Sequence, residues 1–149
     1  MTGGRSPDDI RRMFSDLAPC YDRFNAWASL GMDAPWRSRL IEGIGRGERV
    51  LDLGCGTGEL SLTAVAKGCR VTGADFSEEM LEVARRRNPG IEWVRADASA
   101  LPFADGTFQA VVSAYVMRNL LRGNILSGAL KECFRVLAPG GTIVFLDLT

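Results

Sequence analysis

Three carboxylates and three glycines stand at matched places in the first hundred residues, and together they describe a ligand. Asp52 lies inside VLDLGCGTG (residues 50–58), ahead of Gly54, Gly56 and Gly58; Asp75 and Asp97 each follow a short apolar run. A glycine-rich turn leaves backbone N–H groups open to a ligand, and the first turn of a following helix adds positive dipole. Asp75 comes 21 positions after Gly54, the spacing of an acid that accepts hydrogen bonds from ribose hydroxyls. A carboxylate suits vicinal hydroxyls because it offers two acceptor oxygens. Aspartates also end strands as plain turn formers; three in register with a glycine turn favour a nucleoside ligand. The glycine spacing, Gly-x-Gly-x-Gly, departs from the dinucleotide fingerprint Gly-x-Gly-x-x-Gly.

Placing these groups at one edge requires strands alternating with helices. Val50, Leu51 and Leu53 read as a buried strand, and residues 59–67 as a helix closed by Gly68. Residues 70–74 form a second strand, ending at Asp75. Ser77 caps a helix with Glu78 and Glu79 in its first turn and Arg85, Arg86 and Arg87 in its last. Residues 91–96 and 108–113 give the third and fourth strands. A helix is expected from near Asn124 to Leu137, with Leu126, Leu130, Phe134 and Leu137 on one face. Pro139-Gly140-Gly141 should then turn the chain into a fifth strand, residues 142–146. The pattern is α/β: a doubly wound, mostly parallel sheet with helices on both faces, binding its ligand beyond the carboxyl ends of the strands. We read one domain over 1–149, with an N-terminal helical segment (1–45) and a cofactor-binding core (46–149). Ahead of the core, Ile10, Met13, Phe14, Leu17, Tyr21, Phe24, Trp27 and Leu30 recur at helical spacing, split by Pro19. This stripe either covers the sheet or forms a lid over an apolar pocket. A short helical piece after Trp36 is expected to reach Ile44.

Composition narrows the chemistry. There is no histidine, which removes imidazole as base, nucleophile partner or metal ligand. Eighteen basic and eighteen acidic residues cancel, and no basic stripe points to nucleic acid; Arg85 to Arg87 are explained as a helix end. Cys20, Cys55, Cys69 and Cys133 are scattered without a C-x-x-C pair, so neither a zinc site nor a disulfide framework is expected. A reducing, cytoplasmic setting fits, with neither a membrane span nor a signal-peptide core.

With VLDLGCGTG, GADFSEEML from Gly73, DASALPFADGTF from Asp97 and RVLAPGG from Arg135 in view, the chain resembles the class I S-adenosylmethionine-dependent methyltransferases. Within them it is similar to the quinone-biosynthesis C-methyltransferases acting on demethylmenaquinol or 2-polyprenyl-benzoquinol, in menaquinone and ubiquinone biosynthesis. That likeness is carried by FSDLAPCYDRFNAWASLGMDAPWR (residues 14–37) and by YVMRN (residues 115–119). Leu146-Asp147 stands for the family's Leu-Glu. The resemblance implies a Rossmann-like sheet in the order 3-2-1-4-5 and S-adenosylmethionine as cofactor. Its cofactor-binding residues would be Asp52, Gly54, Gly56, Thr57, Gly58, Asp75, Phe76, Asp97, Ala98 and Ala114. Thr57 and its glycine neighbours would hold the methionine part, Asp75 the ribose, and Asp97 with Ala98 the adenine edge. Ala114 replaces a serine, Val116 a glycine and Gln109 an aspartate. The implied catalytic residues are Arg118, Asn119 and Tyr21, with no metal. Arg118 would orient a water or stabilise a quinolate oxygen rather than act as a base.

The implied partner is a lipophilic quinol, with peripheral membrane contact for its delivery. In that class a further helix and two strands normally follow the fifth strand. Ile143 to Leu146 would otherwise form an apolar edge, so either a longer protein or a second copy of the chain is expected to cover it. The alternatives are a methyltransferase on another small molecule, a nicotinamide-dependent oxidoreductase, and a non-catalytic cofactor-binding remnant.

Overall fold

The computed structural model describes residues 33–147, and the N-terminal stripe with Tyr21 and Cys20 lies outside them. The elements are α1 (Asp33–Leu40), β1 (Arg49–Leu53), α2 (Glu59–Lys67), β2 (Arg70–Asp75), α3 (Glu78–Arg87), β3 (Glu92–Arg95), β4 (Phe108–Ala114), α4 (Met117–Arg122), α5 (Leu126–Val136) and β5 (Leu137–Leu146). The sheet order is β3-β2-β1-β4-β5, all parallel, as the resemblance implied.

Period-two alternation along β1 sends successive residues to opposite faces of the sheet. Val50 joins Val71, Ala110 and Val112 under Leu60, Ala64, Leu40, Ile41 and Ile44. Leu51 and Leu53 join Ala74, Val111, Cys133 and Val136 on the other face. Both faces are therefore covered, which is why the strands read as nearly continuous apolar runs. A third cluster, Cys55, Leu81, Ala84 and Trp93, closes the side under α3. Trp93 lies so near Gly58 and Gly73 that a Cβ on either would come within 2.5 and 2.4 Å of its ring.

Local signals act as expected at two helix ends. The Gly68 N–H reaches the Ala64 and Val65 carbonyls from the left-handed region, and Ser77 Oγ accepts from the Met80 N–H at 3.3 Å. Elsewhere the structure differs from the sequence expectations. The piece expected to reach Ile44 ends as a helix at Leu40 and continues as turns, since Gly43 weakens helix continuation. The helix expected from Asn124 begins at Leu126, and a separate short helix, α4, precedes it. β5 starts at Leu137, not at Thr142. Phe108 pairs with Leu137 and Ala110 with Thr142, so the Pro139-Gly140-Gly141 turn is a bulge inside the strand. The buried face of α5 is Ala129, Cys133 and Val136, whereas Phe134 is 67% exposed. Small side chains face the sheet, while of the expected stripe Phe134 is turned outward and Leu126, Leu130 and Leu137 are half-buried.

Candidate functional site

The site is assembled where β1 and β2 end. The N–H groups of Gly54 and Cys55 both donate to the Ala74 carbonyl, at 2.7 and 3.1 Å, folding the glycine turn onto the end of β2. Gly54 has φ of +69° and sits under Val116, whose Cγ2 would be 2.3 Å from any Cβ placed there. Only glycine fits both the conformation and the space.

Asp75 is bound into this turn. Its Oδ2 accepts from the Gly56 N–H at 2.8 Å and its Oδ1 from the Ser77 N–H at 2.9 Å. Burial pushes its carboxyl above the usual carboxylate range, against the lowering effect of those N–H groups. The Phe76 N–H adds a third such contact, and of the roughly four lone-pair sites of a carboxylate one is left for a hydroxyl donor. Asp97 is exposed; its Oδ1 accepts from the Ser99 N–H at 2.8 Å and from Ser99 Oγ at 2.7 Å.

Asp52 belongs beneath the turn. It is 1% exposed and faces α2, where Ser61 Oγ donates to its Oδ2 at 2.6 Å. Burial pushes its carboxyl up to about 7, Ser61 opposes this, and the neighbouring Asp75 adds to it. Cys55, in the turn itself, is a buried thiol pushed well upward by burial and by the two aspartates. It is thus not an activated thiolate.

Above these groups lies a cleft of about 1060 Å³, counting the open space at its mouth. Of the residues singled out in the sequence, Gly54, Gly56, Asp75, Phe76, Asp97, Ala98 and Asn119 line it. Thr57 and Gly58 precede α2, Gly58 as its N-cap, and are not among the lining residues; nor is Asp52. Ala114, at the end of β4, packs against the Val50 cluster. Arg118 is in α4, one residue before Asn119. Gln109 is remote from this end: its Oε1 accepts from the Arg49 N–H at 2.7 Å, at the opening of β1. That position therefore has no bearing on the ligand.

Met80, Leu120 and Ile125, not singled out from sequence, supply apolar wall, and Tyr115 and Val116 of the YVMRN segment close the space over the turn. Tyr115 has φ of +63°, an uncommon conformation for a non-glycine residue, and its N–H donates to the Leu146 carbonyl at 2.7 Å. The YVMRN segment was the available signal, since three of its five residues, Tyr115, Val116 and Asn119, line the cleft. A further group acts from behind the wall. Arg135 donates to the carbonyls of Phe103 and Leu101 at 2.7 and 2.9 Å and to Asp105 at 2.8 Å. Glu132 accepts from the Leu101 N–H at 2.7 Å and from Arg135 at 2.8 Å, which holds its carboxyl down to about 2. This pair pins the loop that carries Asp97 and Ala98.

The arrangement presents the glycine-turn backbone, two carboxylates and an apolar wall to one space; the N–H groups of Gly54, Cys55, Gly56 and Gly58 are themselves taken up by Ala74, Asp75 and Cys55. It suits a ligand with vicinal hydroxyls at one end and an apolar reacting partner at the other. Among the described residues no three His, Cys, Asp or Glu side chains are grouped to hold a metal ion.

Comparison with known proteins places this geometry. Residues 50–141 match the methyltransferase domain family. The chain is 40% identical to the demethylmenaquinone methyltransferase of Renibacterium salmoninarum, over 97% of this chain and 61% of that protein. It is 38% identical to the 2-phytyl-1,4-naphtoquinone methyltransferase of Thermosynechococcus vestitus, over 95% of this chain and 65% of that protein. The chain thus spans about three fifths of the length of these curated relatives. A TehB-like SAM-dependent methyltransferase of Corynebacterium glutamicum has the same fold, with a TM-score of 0.74 and 28% identity over 87% of this chain and 72% of that one.

Proposed function

The chain belongs to the methyltransferase domain family, and from that premise we propose that it transfers a methyl group from S-adenosylmethionine to a ring carbon of a prenylated quinol. The observation that carries the reading is the single cleft shared by the glycine turn, Asp75 and the apolar wall of Phe76, Met80, Leu120 and Ile125. Relatives named as demethylmenaquinone and 2-phytyl-1,4-naphtoquinone methyltransferases support the quinol as acceptor.

The residues present fit the cofactor. Beside the Gly54–Gly56 turn, over which Val116 lies, the buried carboxylate of Asp75 keeps acceptor capacity for a ribose hydroxyl. Gly54 and Gly56 would hold the methionine part with Thr57, Asp75 the ribose, and Asp97 with Ala98 the adenine edge; Asp52 would stiffen the turn from below. When bound, S-adenosylmethionine supplies an already activated methyl group. What remains for the chain is to bring an electron-rich carbon into line, and proximity and orientation account for about 7–11 kcal/mol of such barriers. The apolar wall would hold the ring and exclude water. Loss of a phenolic proton raises electron density at the adjacent ring carbon. In a chain without histidine the acceptor is a carboxylate, Tyr21 or a water; we assign a water ordered by Arg118 and Asn119.

The decisive experiment is a methyl-transfer assay on demethylmenaquinol and on the polyprenyl-benzoquinol precursor, run with this chain and with any longer reading frame. Methylation of neither quinol refutes the acceptor. Calorimetry with S-adenosylhomocysteine and with NAD separates the cofactor: binding of NAD alone refutes the methyltransferase reading. Turnover of Arg118→Ala is expected to fall with cofactor affinity unchanged; near-normal turnover removes Arg118 from the mechanism. The N-terminal lid, the cytoplasmic setting and pairing of a second copy along β5 belong to this proposal. Among the described residues no helix is long and apolar enough to cross a membrane.

A further inference from the structure

We propose that Tyr115 is the acceptor platform of this chain: its ring is the surface against which the aromatic ring of the acceptor is held beside the glycine turn. The inference rests on the quinol reading in one respect, that the acceptor is a planar ring. It goes beyond that reading in naming the residue that recognises the ring. Backbone conformation singles this residue out. Among the described residues two that are not glycine have positive φ, Tyr115 at +63° and Asn124 at +54°. Asparagine tolerates the left-handed region through its short polar side chain, whereas a bulky aromatic is strained there. Glycine would make the same bend without strain. What tyrosine adds at this position is its side chain, and Tyr115 lines the cleft.

The surrounding structure holds the bend in place. Ala114 pairs with Leu146 at the end of the β4–β5 ladder, and the Tyr115 N–H then donates to the Leu146 carbonyl at 2.7 Å. Val116, the next residue, is back in the right-handed region and caps α4; its carbonyl accepts from the Asn119 and Leu120 N–H groups at 2.9 and 3.1 Å. The Val116 side chain lies over Gly54. Tyr115 is thus fixed directly before the residue that covers the glycine turn and one helical turn before two residues of the wall. The chemistry such a surface takes is a planar ring. Aromatic pairs gain from offset-stacked or edge-to-face contact beyond what burial supplies, while an aliphatic acceptor gains burial alone. Leu120 and Ile125 offer apolar area to either kind and do not discriminate between them.

The test is calorimetry with 1-naphthol, a stable planar hydroxyarene, and with its saturated counterpart decahydro-1-naphthol, each titrated into the chain in the presence of S-adenosylhomocysteine. The parent chain is expected to favour 1-naphthol. Tyr115→Leu and Tyr115→Gly are each expected to lower that ratio of affinities about fivefold, and Tyr115→Phe to keep it. Affinity for S-adenosylhomocysteine is expected to be unchanged in all three. Tyr115→Gly is expected to melt above Tyr115→Leu, because only glycine relieves the backbone. Binding of neither compound by the parent, or an unchanged ratio in Tyr115→Leu, overturns the proposal. So does a loss in Tyr115→Phe equal to that in Tyr115→Leu, which would assign recognition to the hydroxyl. The reverse order of melting removes the strain argument and overturns it as well. A ratio that falls in Tyr115→Leu and Tyr115→Gly, in a chain that methylates no quinol, upholds the platform and refutes the quinol reading instead.

Discussion

Replacing Asp52 by asparagine is expected to flatten the dependence of folding stability on pH. Asp52 sits beneath the glycine turn, 1% exposed, with Ser61 donating to it. Its carboxyl is pushed up to about 7 by burial, against roughly 3.9 in an unfolded chain. The folded state therefore holds this proton more tightly than the unfolded state. Stability is fully present below about pH 4 and is lost as pH rises through about 7. A displacement of roughly three pKa units amounts to about 4 kcal/mol over the whole window. Between about pH 5 and about pH 8 the loss is about 2.5 kcal/mol. Asparagine cannot ionise; its carbonyl still accepts from Ser61, but its amide is left seeking an acceptor, at a cost of about 1–3 kcal/mol. The two stability curves should thus converge or cross, with Asp52→Asn weaker near pH 5 and equal or stronger near pH 8. Urea unfolding of both proteins at the two pH values measures this. Asp75 is also raised and shifts stability in the same direction, but it is retained in both chains, so the difference in slope is the quantity to read. Parallel curves would refute a neutral Asp52 at mid-range pH.

Three further outcomes follow from the same geometry. Asp75→Asn should weaken S-adenosylhomocysteine by about tenfold or more, because one acceptor oxygen becomes a donor facing the Gly56 or Ser77 N–H; calorimetry reads it. Gly73→Ala places a Cβ 2.4 Å from the Trp93 ring and 3.0 Å from Cys55 Sγ, an overpacking cost of about 1–3 kcal/mol. Thermal melts should show part of that loss recovered in Gly73→Ala combined with Trp93→Leu. Glu132→Gln should cost about 1–3 kcal/mol, since it removes the anion shared by Leu101 N–H and Arg135. Because the Glu132 carboxyl is held down to about 2, its contribution is present above about pH 4.5 and lost below. An acid titration of stability should show that limb only in the parent chain.

What the sequence disclosed, it disclosed through short-range rules. The alternation of strands and helices and the Gly68 and Ser77 caps depend on residues a few positions apart, and the arrival of Asp75 beside the glycine turn follows from its 21-position spacing within one strand–helix–strand unit. The features that escaped depend on contacts distant in sequence. Arg135 reaches Leu101 and Phe103 across more than thirty residues, and nothing local marks it. The pairing of Asp52 with Ser61 requires α2 to lie back over β1. α4 has six residues, too few for a helical period to declare itself. In α5 the larger apolar side chains mislead, because the sheet selects the narrow face of Ala129, Cys133 and Val136.

The contact between Val116 and the turn also limits how this site can change over time. With Val116 in place, a Cβ at position 54 would meet its methyl at 2.3 Å. A lineage could replace Val116 by a smaller residue while keeping Gly54, but the reverse order passes through a chain with two atoms contending for one place. Substitutions at these two positions, 62 residues apart in sequence, are thus ordered in history, and a library randomising both should recover larger residues at 54 only in members that have already reduced 116.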